Sequence, residues 1–237
     1  YNMFKNPQSN IRGGNLNKIV RLMWNNYGRV FGEYLFIKDF RSGKYNSNIK
    51  IEGQDILEKI KKTQQQVIFI SGHLGNFELM AMHLEKTGIK LSTIYRPLNN
   101  IFLNPLMEKI RKKYICKYQI KKGIGGMKKL ITLKKENFST ALMIDQRVSE
   151  GILSNFFNQQ ALTTTIPAQL VKKFKVPIVP IHIQRNEGPN FKITIKKPIF
   201  FSEETSIQNI TDELNSILEN LIVIKPEQWI WSHNRWK

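Results

Sequence analysis

From residue 49 onward the chain alternates short apolar runs with helix-length amphipathic segments, and this restricts the folds open to it. Residues 49–51, 66–71, 90–95, 140–144 and 176–184 read as strands. Residues 54–62, 76–86, 104–113, 126–135 and 167–174 read as helices, with 211–224 the last long one. Residues 115–120 read as extended, and 192–196 alternate like an exposed strand. Strands separated by helices of this length pair through crossovers, so their sheet is largely parallel and covered on its faces. The expected fold is α/β, a single-domain sandwich with a central, largely parallel sheet flanked by helices. A chain of 237 residues suits one large domain and is short for two well-packed ones. No internal repeat or linker breaks it.

Ahead of this domain (residues 46–237), residues 1–45 read as a basic amphipathic helical segment. Leu16, Ile19, Val20, Met23, Tyr27, Val30, Phe31 and Tyr34 recur at helical spacing, interspersed with Arg12, Lys18, Arg21 and Arg29. The preferred reading is a helix packed on the domain, and the rival is one lying in a membrane interface. Gly28 and Gly32 argue against an unbroken helix. No run approaches the ~20 apolar residues of a membrane span. The chain begins at Tyr1, which suggests a fragment whose anchor could have preceded it. Its 37 Lys+Arg against 18 Asp+Glu give a formal charge of +19. Such an excess calls for an acidic partner: nucleic acid, an anionic membrane surface, or an acidic protein or substrate. Cys116 is the single cysteine, which excludes an internal disulfide.

Chemistry concentrates at Ser71-Gly72-His73-Leu74-Gly75-Asn76-Phe77-Glu78. Here an apolar strand ends in small residues, presents a histidine, and supplies a glutamate in the first turn of the next helix. In open α/β sheets active groups gather where strands end and helices begin. Histidine exchanges protons near neutral pH, and a neighbouring carboxylate can set its tautomer. His-x4-Glu also arises by chance, as a loop histidine before a helix-start carboxylate, and spacing alone favours that plainer reading. Elsewhere, His83, His182 and His233 show no metal-ligand spacing, so no metal is expected. Cys116 has no histidine nearby in sequence. Ser71 lacks a nucleophile elbow, and Gly123-x-Gly125-Gly126 lacks the Lys-Ser/Thr of a P-loop.

The ordered series of motifs tips the balance. His73-Leu-Gly-Asn-Phe-Glu78 resembles the His-x4-Asp/Glu motif of the glycerolipid acyltransferase superfamily, and more closely its lipid A lauroyl/myristoyl acyltransferase branch. The resemblance continues through Tyr95-Arg96-Pro97, Asn104 to Arg111, Gly126 to Leu130, and Met143-Ile-Asp145-Gln146-Arg147. It resumes at Asn155 to Phe157, Ala161 to Thr165, Val176 to Pro180, and Pro226 to Arg235. It implies transfer of a fatty acyl group from acyl carrier protein to a hydroxyl of a lipid A precursor. His73 would be the general base and Glu78 its orienting partner. Arg96 and Arg111 would clamp phosphate bidentately. Asp145 and Arg147 would shape the acceptor pocket, unless Arg96 and Arg147 instead form a structural ion pair with Asp145. No cofactor is implied beyond the acyl donor. The expected partners are acyl carrier protein, an anionic lipid acceptor and a membrane surface, at the cytoplasmic face of a bacterial inner membrane, without nucleic acid. Acylation of another membrane lipid, a non-catalytic lipid-binding role and nucleic-acid binding are the alternatives.

Overall fold

The structure, a computed structural model, describes residues 16–98 and 100–236, so residues 1–15 of the basic segment, Arg12 among them, lie outside it. Its centre is a seven-stranded sheet. The strands are β1 (Ile49–Glu52), β2 (Ile68–Ser71), β3 (Leu91–Tyr95), β4 (Tyr118–Lys121), β5 (Ser139–Met143), β8 (Ile178–Arg185) and β9 (Phe191–Ile195). A separate hairpin comprises β6 (Ile152–Phe156) and β7 (Gln159–Thr163). The sheet order is β1-β9-β8-β2-β5-β3-β4. Every pairing is parallel except β8 with β9, as the crossover pattern anticipates.

Helices cover both faces: α2 (Ile37–Ser42), α3 (Gln54–Thr63) and α4 (Phe77–Lys86) on one, α6 (Ile124–Lys135), α7 (Ile166–Phe174) and α8 (Ile207–Ile224) on the other. The period-2 alternation of β2 divides its side chains between two cores. Phe69 enters the cluster built on Leu57, Leu79 and Leu84, while Ile68 and Ile70 enter that of Leu130, Leu170 and Leu214. α5 (Leu103–Ile110) runs directly into a π-helical turn, Arg111–Ile115.

Two expectations change. α1 (Leu16–Glu33) runs unbroken through Gly28 and Gly32. An added Cβ at either glycine would meet nothing within 4 Å, so both face outward and only helix propensity is lost. β9 is not an exposed strand: it lies inside the sheet between β1 and β8, and Phe191, Ile193 and Ile195 are buried in the core shared with Phe40 of α2 and Leu57 and Ile60 of α3. Its lysines escape at the margin, where Lys192 pairs with Glu52 at 2.7 Å.

Candidate active site

The parallel register of β2 and β5 builds the site. Ser71 is paired with Met143, and the Ile144 amide donates to the Ser71 carbonyl at 3.0 Å. Two residues beyond each strand end, His73 and Asp145 therefore emerge side by side. The Asp145 carboxylate accepts from His73 Nδ1 at 2.8 Å through one oxygen and from the His73 amide at 2.8 Å through the other. That second oxygen also accepts the Trp229 indole N–H at 2.8 Å. Gly72 permits the approach: a Cβ there would stand 3.3 Å from the Asp145 side chain and 2.9 Å from Leu218. Gly75, at φ +53°, supplies the left-handed turn into α4, and a Cβ would meet the Ile183 carbonyl at 2.8 Å.

These contacts decide the electrostatics. Burial disfavours the charged imidazole of His73, but the Asp145 charge and hydrogen bond outweigh it and raise the pKa above 6.5. The opposite balance holds for Asp145: burial pushes its pKa up, the interactions with His73 pull it down further, and it settles at about 2. Asp145 is thus ionised at neutral pH, and its side chain is fully buried. With Nδ1–H committed to Asp145, the imidazole presents Nε2 as its free base. Phe77 packs edge-on against the ring, 4.7 Å between centroids.

The imidazole's hydrogen-bonded acid is therefore Asp145 and not Glu78, whose charge only adds to those raising the His73 pKa. Glu78 is held instead by Arg111, through Nε at 2.9 Å and Nη2 at 2.5 Å, and by the Tyr34 hydroxyl. The same contacts engage Nε and Nη2 of Arg111, an edge that could clamp phosphate, with the Glu78 carboxylate. The proposed ion pair of Arg96 or Arg147 with Asp145 is not made: among the described residues, Asp145 is surrounded by His73 and Trp229. Arg96 and Arg147 are both exposed, and the Arg96 charge is felt at His233.

Helix α1 locks the turn from behind. Asn76 caps α4 by accepting the Leu79 amide and donates to Glu33 Oε2 at 2.7 Å. Arg185 binds Glu33 through both terminal nitrogens and Asn26 Oδ1 through Nε at 2.9 Å, while Asn26 donates to the Gly75 carbonyl. Both partners of this ion pair are largely buried, with side-chain exposures of 5% and 13%. Replacing Arg185 by methionine should strand the Glu33 carboxylate and cost about 3–5 kcal/mol. Thermal unfolding would register this as a fall of roughly 6–20 °C in Tm.

Sequence reading gives Trp229, Gln146 and His233 no role, although all three lie in the matching motifs, and weighs His233 only as a metal ligand. Trp229 is 1% exposed, and a buried indole requires a partner for its N–H, which Asp145 provides. Its place is fixed by Leu74, which bridges to Trp229, and by the Gly75 amide, which donates to the Gln228 carbonyl at 3.2 Å. Gln146 stands between the imidazoles of His73 and His233. Arg235 is structural, donating to the Leu162 carbonyl and Thr163 hydroxyl of β7, each at 2.7 Å.

An α/β sheet with a carboxylate-clamped histidine at its strand ends is an arrangement suited to proton transfer. Residues 15–237 match the family of bacterial lipid A biosynthesis acyltransferases, and the chain belongs to that family. It is similar to lipid A biosynthesis acyltransferase 2 of Shigella flexneri, 24% identical over 194 residues, or 79% of this chain and 60% of that protein. It is also similar to the lipid A biosynthesis myristoyltransferase of Escherichia coli (strain K12), 20% identical over 193 residues, or 79% of this chain and 58% of that one. The chain thus spans about three-fifths of the length of these relatives.

Proposed function

We propose that this chain transfers a fatty acyl group from an acyl carrier protein thioester to a hydroxyl of a lipid A precursor at the cytoplasmic face of the inner membrane. The observation that carries the reading is the His73–Asp145 clamp, which leaves one imidazole nitrogen basic and unshielded by carboxylate. In the proposed reaction His73 Nε2 takes the acceptor hydroxyl proton as its oxygen attacks the thioester carbonyl. Asp145 stabilises the imidazolium so formed. The tetrahedral intermediate collapses, the C–S bond breaks, and the imidazolium returns its proton to the leaving thiolate. Glu78 and Arg111 hold the first turn of α4, and with it the His73 loop, in position. Arg96 and Arg147, exposed at the site's margin, suit a phosphorylated headgroup.

Testing this takes purified chain, acyl carrier proteins loaded with several acyl lengths, and either a lipid A precursor or a lysophospholipid. Acylation of the lipid A precursor supports the reading. Transfer confined to lysophospholipid would replace the acceptor, and absence of transfer to any acceptor would overturn it.

The membrane surface belongs to the same proposal. Among the described residues no helix is long and apolar enough to cross a membrane. α1 nonetheless exposes Val20, Trp24 and Phe31 beside the exposed cations Lys18, Arg21 and Arg29. Ile101, Phe102, Leu103 and Leu106, at the start of α5, are also exposed and precede Lys109, Lys112 and Lys113. Aromatic side chains flanked by cations suit an anionic bilayer interface. Trp24→Ser with Phe31→Ser should lower partitioning onto anionic vesicles about tenfold or more, as ~1.4 kcal/mol of lost apolar burial implies. Co-flotation with anionic and neutral vesicles checks this, and unchanged partitioning would remove α1 from the docking surface.

A further inference from the structure

The nitrogen that would take the acceptor's proton already has a neighbour. Gln146 Nε2 stands 3.5 Å from His73 Nε2 and 3.0 Å from His233 Nε2. Because His73 Nδ1–H is committed to Asp145, His73 Nε2 carries a lone pair and accepts. A carboxamide nitrogen has two N–H groups, so Gln146 can donate one to each imidazole, provided that His233 Nε2 is also unprotonated. Burial holds the His233 pKa below 6.5, so its ring is neutral at neutral pH and has one nitrogen free to accept. The two rings lie close to this amide, tilted at 54° to each other with 6.0 Å between centroids. The contact with His233 is an ordinary hydrogen bond, whereas that with His73 is at the outer limit of one and is readily displaced.

We infer that Gln146 is a catalytic residue that donates to the oxyanion of the tetrahedral intermediate, and that His233 is the positioning residue that holds its carboxamide. The inference rests on the acyl-transfer reading above. An acceptor hydroxyl reaching His73 Nε2 displaces the weakly held N–H of Gln146. As the hydroxyl proton passes to His73 and the new C–O bond forms, the carbonyl π electrons move onto oxygen. The displaced N–H, beside the attacking atom and anchored through its twin to His233, is placed to bind that charge. Collapse restores the carbonyl, expels the thiolate with the proton held by His73, and frees the amide to return to Nε2. Such a donor acts on charge that develops during the reaction, so its removal is read in kcat more than in KM.

Two measurements on the intact chain test this. In kinetics with an acyl carrier protein thioester and lipid acceptor, Gln146→Ala should lower kcat about 10²–10³-fold with little change in KM. His233→Ala should lower kcat by less, and His233→Asn, which retains an acceptor, should recover part of the loss. The second measurement needs no substrate: NMR titration of the imidazoles in wild type and Gln146→Ala. A donor to the lone pair stabilises neutral imidazole, so its loss should raise the pKa values of both His73 and His233. Asp145, Glu78 and Arg111 around His73, and Asp145 and Arg96 around His233, are retained in this comparison. Wild-type transfer with undiminished kcat in Gln146→Ala would overturn the inference while sparing the function. Absent wild-type transfer alongside shifted imidazole titrations would instead overturn the function that the inference requires. A loss confined to KM, or imidazole titrations unmoved by Gln146→Ala, would also overturn it. If Gln146→Ala fails to fold, Gln146→Asn, which withdraws the amide by one methylene, should show the same kcat loss, and full activity there counts against the inference.

Discussion

Replacing His73 by alanine should reduce acyl transfer by about 10²–10⁴-fold while leaving the fold in place. The imidazole retains 16% of its side-chain exposure and is not a core element. Its loss leaves the Asp145 carboxylate with the residue 73 amide and the Trp229 indole as donors, so the strand ends remain tied. Without a base, the acceptor hydroxyl must lose its proton to water. Parallel circular dichroism and transfer kinetics separate loss of chemistry from loss of structure. A folded His73→Ala chain with wild-type turnover would remove His73 from the mechanism.

Asp145→Asn should have an effect on a similar scale, about 10²–10⁴-fold in kcat, by a different route. The asparagine carbonyl can still accept from His73 Nδ1, but the negative charge that stabilises the imidazolium is gone. Burial, the largest influence on His73 and one that lowers its pKa, would then be opposed only by the weaker attraction of the Glu78 charge. The pKa should therefore fall relative to wild type, making the base weaker and the imidazolium costlier. Glu78→Gln should behave otherwise. Its main consequence is a nearly buried Arg111 guanidinium without its counter-ion, a stability loss of about 3–5 kcal/mol. A larger pH-profile shift in Glu78→Gln than in Asp145→Asn would reverse the assignment of the histidine's partner.

The contrast between these two acids marks what local sequence can disclose. His73 and Glu78 are visible together because only four residues separate them at a strand-to-helix junction. Asp145 lies 72 residues from His73. Its place beside the imidazole depends on β5, rather than β3, being the neighbour of β2. Alternation announces a parallel sheet but does not order its strands. The partner of Arg111 was hidden for a related reason: a guanidinium suits phosphate and carboxylate equally, and only the packing of the π-helical turn against α4 brings it to Glu78. β9 was misjudged because Lys192 suggested an outer strand, whereas β9 is an inner strand whose alternate residues face the core under α2 and α3. The β6–β7 hairpin falls within residues 151–171, an uncharged run with many Ser, Asn, Gln and Thr, and its buried positions include Ser154 and Thr163, polar residues satisfied by Asn215. Periodicity of apolar residues could not reveal it. What the alternation did disclose was the parallel α/β frame, which places strand ends, and hence chemistry, in one row.

The most direct test of the account is the pH dependence of acyl transfer by the purified chain, from acyl carrier protein thioester to lipid acceptor. A base must be neutral to act, and Asp145 holds the His73 pKa above its ordinary 6.5. The account therefore predicts a kcat that climbs with pH through an apparent pKa above that value and then levels, with the limb abolished in His73→Ala. A rate that is flat across neutral pH, or a limb centred below 6.5 in the wild-type chain, would contradict it.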